Sequence, residues 1–191
     1  MKTSMQTCIL LLFVFSNTLT PEEQMTELSE ENNVKINIGL TDKERQQMVD
    51  VLHELQANEF ALYTKTLKFH WNIQGPFFGP LHALFKDQYE KLFEFNDDLA
   101  ERCQQLGYEA LGTLEEFKKL STLKEKPGKN PNDQGMIKEL TEDHEEVIRQ
   151  LRKAIDISDA LHDEGTNNFL CDLIEKHEKI AWMLRSHLVK Q

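Results

Sequence analysis

The sequence predicts an all-α protein, a four-helix bundle made by a single domain. Among its 191 residues only 8 are Gly and 5 are Pro, a composition that favours helices over a turn-rich β protein. Apolar residues recur at steps of three and four in four long segments. Two capping boxes, Thr41–Glu44 and Thr113–Glu116, mark helix starts. Length and periodicity together exclude a multidomain chain and a chain that is disordered throughout.

Five helices are predicted along the chain, four long and one short. Their bounds are about 42–72, about 80–106, Leu114–Leu120, a segment around Ile137 that ends near Ser158, and a segment capped by Thr166 or Asn167. Pro80 follows the turn at 75–80, because a first helical turn does not need its missing N–H. The short helix lies in a long connection between the second and third long helices. This connectivity is that of ferritin-like bundles, and the pattern alone also suits other four-helix folds.

The first 40 residues are predicted to form a leader and an acidic tail, followed by the domain at 41–191. Lys2 and the apolar run 8–15 have the length and flanks of a signal peptide, and the run is too short to cross a membrane. The alternative is that translation starts at Met25, so that residues 1–20 are an upstream-start artefact. The second interpretation predicts a cytoplasmic protein, and the first an exported one.

Charge and cysteine content exclude several kinds of protein. A net charge of −11 argues against a surface that grips phosphates throughout. The first 40 residues hold only Lys2 and Lys35 against five glutamates, so DNA binding is predicted to be weak or absent. Three scattered cysteines are too few for a disulfide framework or a zinc knuckle.

Four residues are candidate metal ligands: His70, His82, Asp97 and Glu101. Imidazole and carboxylate together suit divalent iron, zinc or manganese. Asp97 and Glu101 share one helical face, but His82 and Asp97 are separated by about 22 Å along one helix. A shared ion therefore requires the histidines of one subunit and the carboxylates of another. On spacing alone, solvated surface charges and ordinary cap or interface histidines are the commoner explanation of these residues.

A metal centre inside the bundle is less well supported by the sequence. The usual di-iron arrangement needs Glu-x-x-His on two helices, and the chain contains no such tetrapeptide. The nearest forms are Asp50-Val-Leu-His53 and Asp159-Ala-Leu-His162. His144 and His177 lie on apolar stripes, where hydrogen-bonded core histidines are more common than ligands.

These residues occur in a longer motif that resembles the Dps family of mini-ferritins, which protect DNA-containing cells during starvation and oxidative stress. The motif is Lys68-Phe-His-Trp-Asn-Ile-Gln-Gly-Pro-Phe-Phe78, Leu81-His82, Asp97-Asp-Leu-Ala-Glu-Arg102 and Leu106-Gly107. Further matches lie at 37–40, 110–117 and 177–184, and the resemblance covers about residues 36–189. A set of spaced motifs of this kind is far more specific than its single residues.

The resemblance implies a ferritin-like four-helix bundle with a short helix in the BC crossover, assembled into a hollow twelve-subunit shell. It implies sites at two-fold interfaces, with His70 and His82 from one chain and Asp97 and Glu101 from its partner. At these sites Fe²⁺ would be oxidised, with hydrogen peroxide as the favoured oxidant, and ferric oxide would be deposited inside. It also implies that Trp71 donates electrons to quench radicals, although packing is the commoner role of such a residue.

The chain departs from the family pattern at one position. Lys86 stands four residues after His82, where the family commonly has an Asp or Glu that contributes to a second, weaker iron position. Asp87 does not replace it automatically, because one residue turns the helix by about 100°. We expect a firm first iron site and a weak second one.

Acidic residues around the start of the last helix are candidates for iron entry. The family has acidic pores at three-fold axes, and Asp163, Glu164 and Asp172 are the candidates for them here. A solvated helix start explains the same residues equally well.

The alternative function is a non-enzymatic shell that coats DNA or serves as a surface interaction protein, with its metal site used for assembly.

Overall fold

The structure, a computed structural model, describes residues 36–128 and 130–188, and in this part of the chain it contains five helices and no strand. The helices are α1 (Asp42–Asn72), α2 (Phe78–Gln105), α3 (Leu114–Leu120), α4 (Asp133–Ala160) and α5 (Glu164–Ser186). The all-α class is confirmed, and α3 lies in the crossover between α2 and α4. The candidate leader at 1–20 and most of the acidic tail lie outside the described residues.

The two predicted capping boxes are present. Thr41 accepts a hydrogen bond from the N–H of Glu44 at 3.3 Å, and its own N–H donates to the Glu44 carboxylate at 2.7 Å. Thr113 and Glu116 make the same reciprocal pair at the start of α3. Both boxes satisfy N–H groups that a helix start leaves without intrahelical partners.

Three predicted helix boundaries are wrong by a few residues. Helix α2 begins at Phe78 rather than at 80, since Pro80 is tolerated anywhere in the first turn. Helix α4 continues to Ala160. The predicted cap of α5 at Thr166 or Asn167 is wrong, because the Asp163 side chain accepts the N–H of Thr166 at 3.0 Å and starts the helix earlier.

The bundle core is formed by the apolar stripes of the four long helices. Helix α1 packs along α2 and α4, and α4 packs along α5. The largest fully buried side chains are Phe69, Phe85, Met48, Leu52, Leu62, Leu81, Leu92, Leu99, Leu106, Met136, Ile137 and Leu140. None of the helices within the described ranges is long and apolar enough to span a membrane.

A buried amide attaches the crossover to the bundle. The Asn58 carboxamide oxygen accepts hydrogen bonds from the Thr122 N–H at 2.8 Å and the Ser121 hydroxyl at 2.9 Å. Its amino group donates to the Gln150 side chain on α4 at 2.6 Å. Asn58 is 1% exposed, so these bonds replace hydration that the amide loses on folding.

Replacing Asn58 with alanine should destabilise the subunit by about 2–4 kcal/mol, because the crossover and α4 lose their hydrogen bonds to this buried amide. Thermal unfolding of the variant measures this loss. The Gln46→Ala variant is the matched control, since Gln46 is an exposed amide on the same helix that donates only to Asp50. Equal melting temperatures for the two variants would contradict the role given to Asn58.

Candidate metal centre

His70 and His82 are brought together by the turn between α1 and α2. His70 lies in the last turn of α1, and His82 lies near the start of α2. Ile73 caps α1 with an N–H bond to the Phe69 carbonyl at 2.9 Å and is itself buried. Gly75 then reverses the chain with φ +109°, a conformation that favours glycine. The turn thus sets the two imidazoles face to face.

The two histidines hold each other by reciprocal hydrogen bonds. His70 Nδ1 donates to the His82 carbonyl at 2.8 Å, and His82 Nδ1 donates to the His70 carbonyl at 2.9 Å. Since a carbonyl only accepts, both rings must carry their proton on Nδ1. The rings stack with centroids 3.8 Å apart. Each Nε2 therefore keeps a free lone pair, the arrangement in which a backbone carbonyl fixes the tautomer of a metal-binding histidine.

Aromatic rings enclose this histidine pair on both sides. Phe78 stacks on His82 with ring centroids 4.9 Å apart. Tyr89 meets His70 edge to face at 5.2 Å. His70 is 8% exposed, so its orientation is fixed by packing as well as by hydrogen bonds. The positions of both rings are thus fixed by hydrogen bonds and by ring packing.

Asp97 and Glu101 lie one turn apart on α2, and both are exposed. Helix α2 is continuous from Phe78 to Gln105, so the distance of about 22 Å between His82 and Asp97 applies to the folded subunit. Within the described residues, no three His, Cys, Asp or Glu side chains form a group suited to one ion. The subunit thus presents the predicted ligands at two separate places, with the histidines beside the turn between α1 and α2 and the carboxylates further along α2.

The residues next to His82 on α2 carry charges that are already paired. The Lys86 ammonium forms an ion pair with Glu90, and it lies 5.8 Å from the centre of the Tyr89 ring. Asp87 forms an ion pair with Lys91 at 2.7 Å. A positive charge therefore occupies the helix position one turn after His82.

The remaining candidate residues have different surroundings. Trp71 is 68% exposed. Asp163 is buried, caps α5 and pairs with Arg102 at 2.9 Å, so its carboxylate serves the subunit's own fold. Glu164 and Asp172 are exposed, and Asp172 pairs with Lys176.

A second group of titratable side chains is buried in the bundle centre. His144 on α4 and His177 on α5 meet with their Nδ1 atoms 3.0 Å apart, as expected for hydrogen-bonded core histidines. His177 Nε2 also lies 2.7 Å from the Glu59 carboxylate on α1, although the alignment falls short of a hydrogen bond. Sequence reasoning missed Glu59, because a single acid on an apolar stripe gives no sign of its partner.

The proton positions in this cluster are limited by the contact between the two histidines. Because their Nδ1 atoms lie 3.0 Å apart, one of them donates and the other accepts. His144 Nε2 has no partner. Burial, together with the neighbouring His177, holds the pKa of His144 well below its ordinary value of 6.5. The three groups form a chain of contacts rather than a ring around one point.

The other two histidines named in the sequence lie outside both groups. His53 Nε2 makes a 2.9 Å contact with the Glu109 carbonyl. His162 follows the end of α4, exposed and with φ +55°. As expected, Asp159 and His162 are at a helix end and away from the bundle centre.

Comparisons with known proteins show which family this chain belongs to. The family model for the ferritin-like domain matches residues 49–191. A low temperature-induced protein of Nostoc sp. is 47% identical over 158 residues, which cover 82% of this chain and 88% of that protein. A DNA protection during starvation protein of Helicobacter pylori is 33% identical, over 73% of this chain and 96% of that protein.

A solved structure gives the same result for the fold. The Dps protein from Vibrio cholerae O1, described as a member of a broad superfamily of ferritin-like diiron-carboxylate proteins, superposes with a TM-score of 0.77. The two chains are 30% identical, and the match covers 81% of this chain and 97% of the Vibrio chain. The ferritin-like bundle that the helix pattern predicts is confirmed.

The buried His144 makes the stability of the subunit sensitive to acid. Its pKa is lowered in the folded state, so its contribution is complete above pH 6.5 and is lost as the pH falls below that value. The loss should reach about 1.4 kcal/mol per pH unit, the value for one proton. Melting temperatures of the wild type and of His144→Phe between pH 7.5 and 5.5 measure it.

In this measurement the wild type should lose more stability with falling pH than His144→Phe, which has no proton to take up at that position. His187→Gln is the control, because His187 is an exposed histidine at the end of α5. The same pH dependence in the wild type and in His144→Phe would show that the buried imidazole does not govern the response.

Proposed function

Because this chain belongs to the ferritin-like family, and within it to the Dps proteins, we propose that it oxidises Fe²⁺ with hydrogen peroxide and stores the product as ferric oxide in a hollow twelve-subunit shell. The observation that carries the proposal is the reciprocal hydrogen bonding of His70 and His82. It leaves two imidazole nitrogens free to bind a divalent cation. Iron is the substrate of this reaction and the cargo of the shell.

The site is completed across a two-fold axis. His70 and His82 of one subunit face Asp97 and Glu101 of a second subunit, whose copy of α2 runs antiparallel to the first. Two such sites then form at each interface, because the two-fold axis relates them. Each subunit gives its histidines to one site and its carboxylates to the other. The exposure of Asp97 and Glu101 in the single subunit supports this arrangement, since it leaves both carboxylates accessible to a partner.

The mixed ligand set suits the change of iron charge. Imidazole binds Fe²⁺ well, and the carboxylates stabilise the Fe³⁺ that results. In the overall reaction two Fe²⁺, one hydrogen peroxide and two protons give two Fe³⁺ and two waters. Because the reaction consumes both Fe²⁺ and hydrogen peroxide, it suppresses formation of the hydroxyl radical that these two reactants would otherwise generate. This chemistry protects a cell from oxidative damage.

The acidic character of the chain supports the supply of iron. A net charge of −11 on each subunit attracts cations to the shell. Glu164, at the start of α5, and Asp172, about two turns further along, are both exposed, and we assign them to the entry pores. The same charge opposes DNA phosphates, so we assign protection to the removal of peroxide and Fe²⁺ rather than to coating of DNA.

The shared site predicts complementation between two inactive variants. His70→Ala destroys the nitrogen half of every site and Asp97→Ala the oxygen half, so each shell alone should lose the absorbance rise that accompanies anaerobic addition of Fe²⁺ and peroxide. Shells assembled from an equal mixture of both subunits should regain about a quarter of the wild-type rate, because about half of the interfaces join two different variants and each of these has one intact site out of two.

Mixing the two variants after each has assembled is the control, and it should restore nothing while subunits do not exchange. Co-assembled shells that stay inactive would mean that each site is built from a single subunit. Full activity in either single variant would remove its residue from the site altogether.

Lys86 predicts that each site holds one firmly bound iron. Its ammonium lies where a second Fe²⁺ would need an anionic ligand, and like charges repel. Anaerobic titration of the wild type should give one tight Fe²⁺ per subunit, and Lys86→Glu should add a second. Glu90→Gln is the control that removes the partner of Lys86 and keeps its charge. Two equally tight sites in the wild type would contradict this assignment.

A further inference from the structure

A site with one iron leaves the reduction of peroxide incomplete. Hydrogen peroxide accepts two electrons to form two waters, and one Fe²⁺ supplies a single electron. If no second donor is nearby, the one-electron reduction releases a hydroxyl radical. The proposed function, on which this inference rests, therefore requires a second electron close to the histidine pair.

The structure places one phenol in ring contact with that pair and a second phenol in contact with the first. The Tyr89 ring lies edge to face against His70, with centroids 5.2 Å apart. Tyr63 lies edge to face against Tyr89 at 6.3 Å. Both tyrosines are only partly exposed. A continuous series of ring contacts thus leads from a metal-binding histidine to two side chains that can be oxidised by one electron.

We propose that Tyr89 donates the second electron when peroxide oxidises the bound Fe²⁺, and that Tyr63 relays an electron to Tyr89. The step balances as Fe²⁺, hydrogen peroxide, one tyrosine and one proton giving Fe³⁺, one neutral tyrosyl radical and two waters. The O–O bond breaks, and the phenol loses its O–H proton to solvent together with its electron. The next Fe²⁺ to arrive reduces the radical and, with one proton, restores tyrosine.

Lys86 contributes to this arrangement in two ways. Its ammonium disfavours a second iron, and it lies 5.8 Å from the centre of the Tyr89 ring. A positive charge at that distance disfavours a tyrosine radical cation, so electron and proton must leave the phenol together. Lys86, which disfavours binding of a second iron, thus lies close to Tyr89, which supplies the electron that a second iron would have supplied.

The geometry favours Tyr89 over Trp71 as the donor. Trp71 follows a ligand in the sequence, but its side chain is 68% exposed. Within the described residues, the aromatic ring contacts of His70 are to His82 and Tyr89. A partly buried donor in contact with the ligand transfers its electron over a shorter path, and its radical is less accessible to solutes.

Freeze-quench electron paramagnetic resonance on the assembled full-length shell tests the proposal. One Fe²⁺ per subunit is loaded anaerobically, and one equivalent of hydrogen peroxide is added. The wild type should give a tyrosyl signal that Tyr89→Phe reduces at least tenfold. The chain has 3 tyrosines, and Tyr108→Phe is the matched control, because the Tyr108 hydroxyl donates to the Asp42 carbonyl at the opposite end of α1.

A spin trap for hydroxyl radical gives the second readout. Tyr89→Phe should release several-fold more trapped radical than the wild type while its iron still oxidises, and Tyr63→Phe should prolong the Tyr89 radical. An undiminished signal in Tyr89→Phe, or a signal that only Trp71→Phe removes, would overturn the proposal. Iron oxidation without any tyrosyl radical would reject this inference alone, whereas a wild type that oxidises no iron would reject the proposed function.

Discussion

The uninterrupted course of α2 is the constraint on which the proposed chemistry depends. This helix runs from Phe78 to Gln105 and carries His82 near its start and Asp97 and Glu101 further along. A rigid rod of this length cannot fold back on itself, so the imidazole and carboxylate ligands stay about 22 Å apart in every isolated subunit. In the proposed assembly, a two-fold partner with an antiparallel copy of the same helix joins the halves. The proposal therefore makes iron oxidation a property of the shell rather than of the isolated subunit.

The two histidine pairs of the chain show how the partner of Nδ1 decides what an imidazole can do. In His70 and His82 each Nδ1 donates to a backbone carbonyl, so each Nε2 remains a free ligand. In His144 and His177 the Nδ1 atoms face each other, and His177 Nε2 faces Glu59. The first pair lies beside the turn between α1 and α2, and the second is fully buried. We assign the first pair to binding and the second to the stability of the bundle.

Much of the fold could be predicted because its signals are local. The capping boxes at Thr41 and Thr113 each predict a helix start from four consecutive residues. The distance between His82 and Asp97 follows from the length of a single helix. Other features depend on contacts between distant segments. The role of Asp163 as the cap of α5 is not evident from the sequence, because Thr166 and Asn167 are also suitable cap residues. Glu59 becomes recognisable only when α1, α4 and α5 pack. The contact of Tyr89 with His70 likewise follows from the register of α1 against α2, which the periodicity of either helix does not specify.

Anomalous X-ray scattering at the iron absorption edge, from a crystal of the shell loaded with Fe²⁺, tests the shared site most directly. The account predicts one strong peak per subunit, located between the Nε2 atoms of His70 and His82 and the carboxylates of Asp97 and Glu101 from the two-fold partner. A strong peak whose ligands all come from one subunit, such as one beside Glu59 and His177 in the bundle centre, would contradict it.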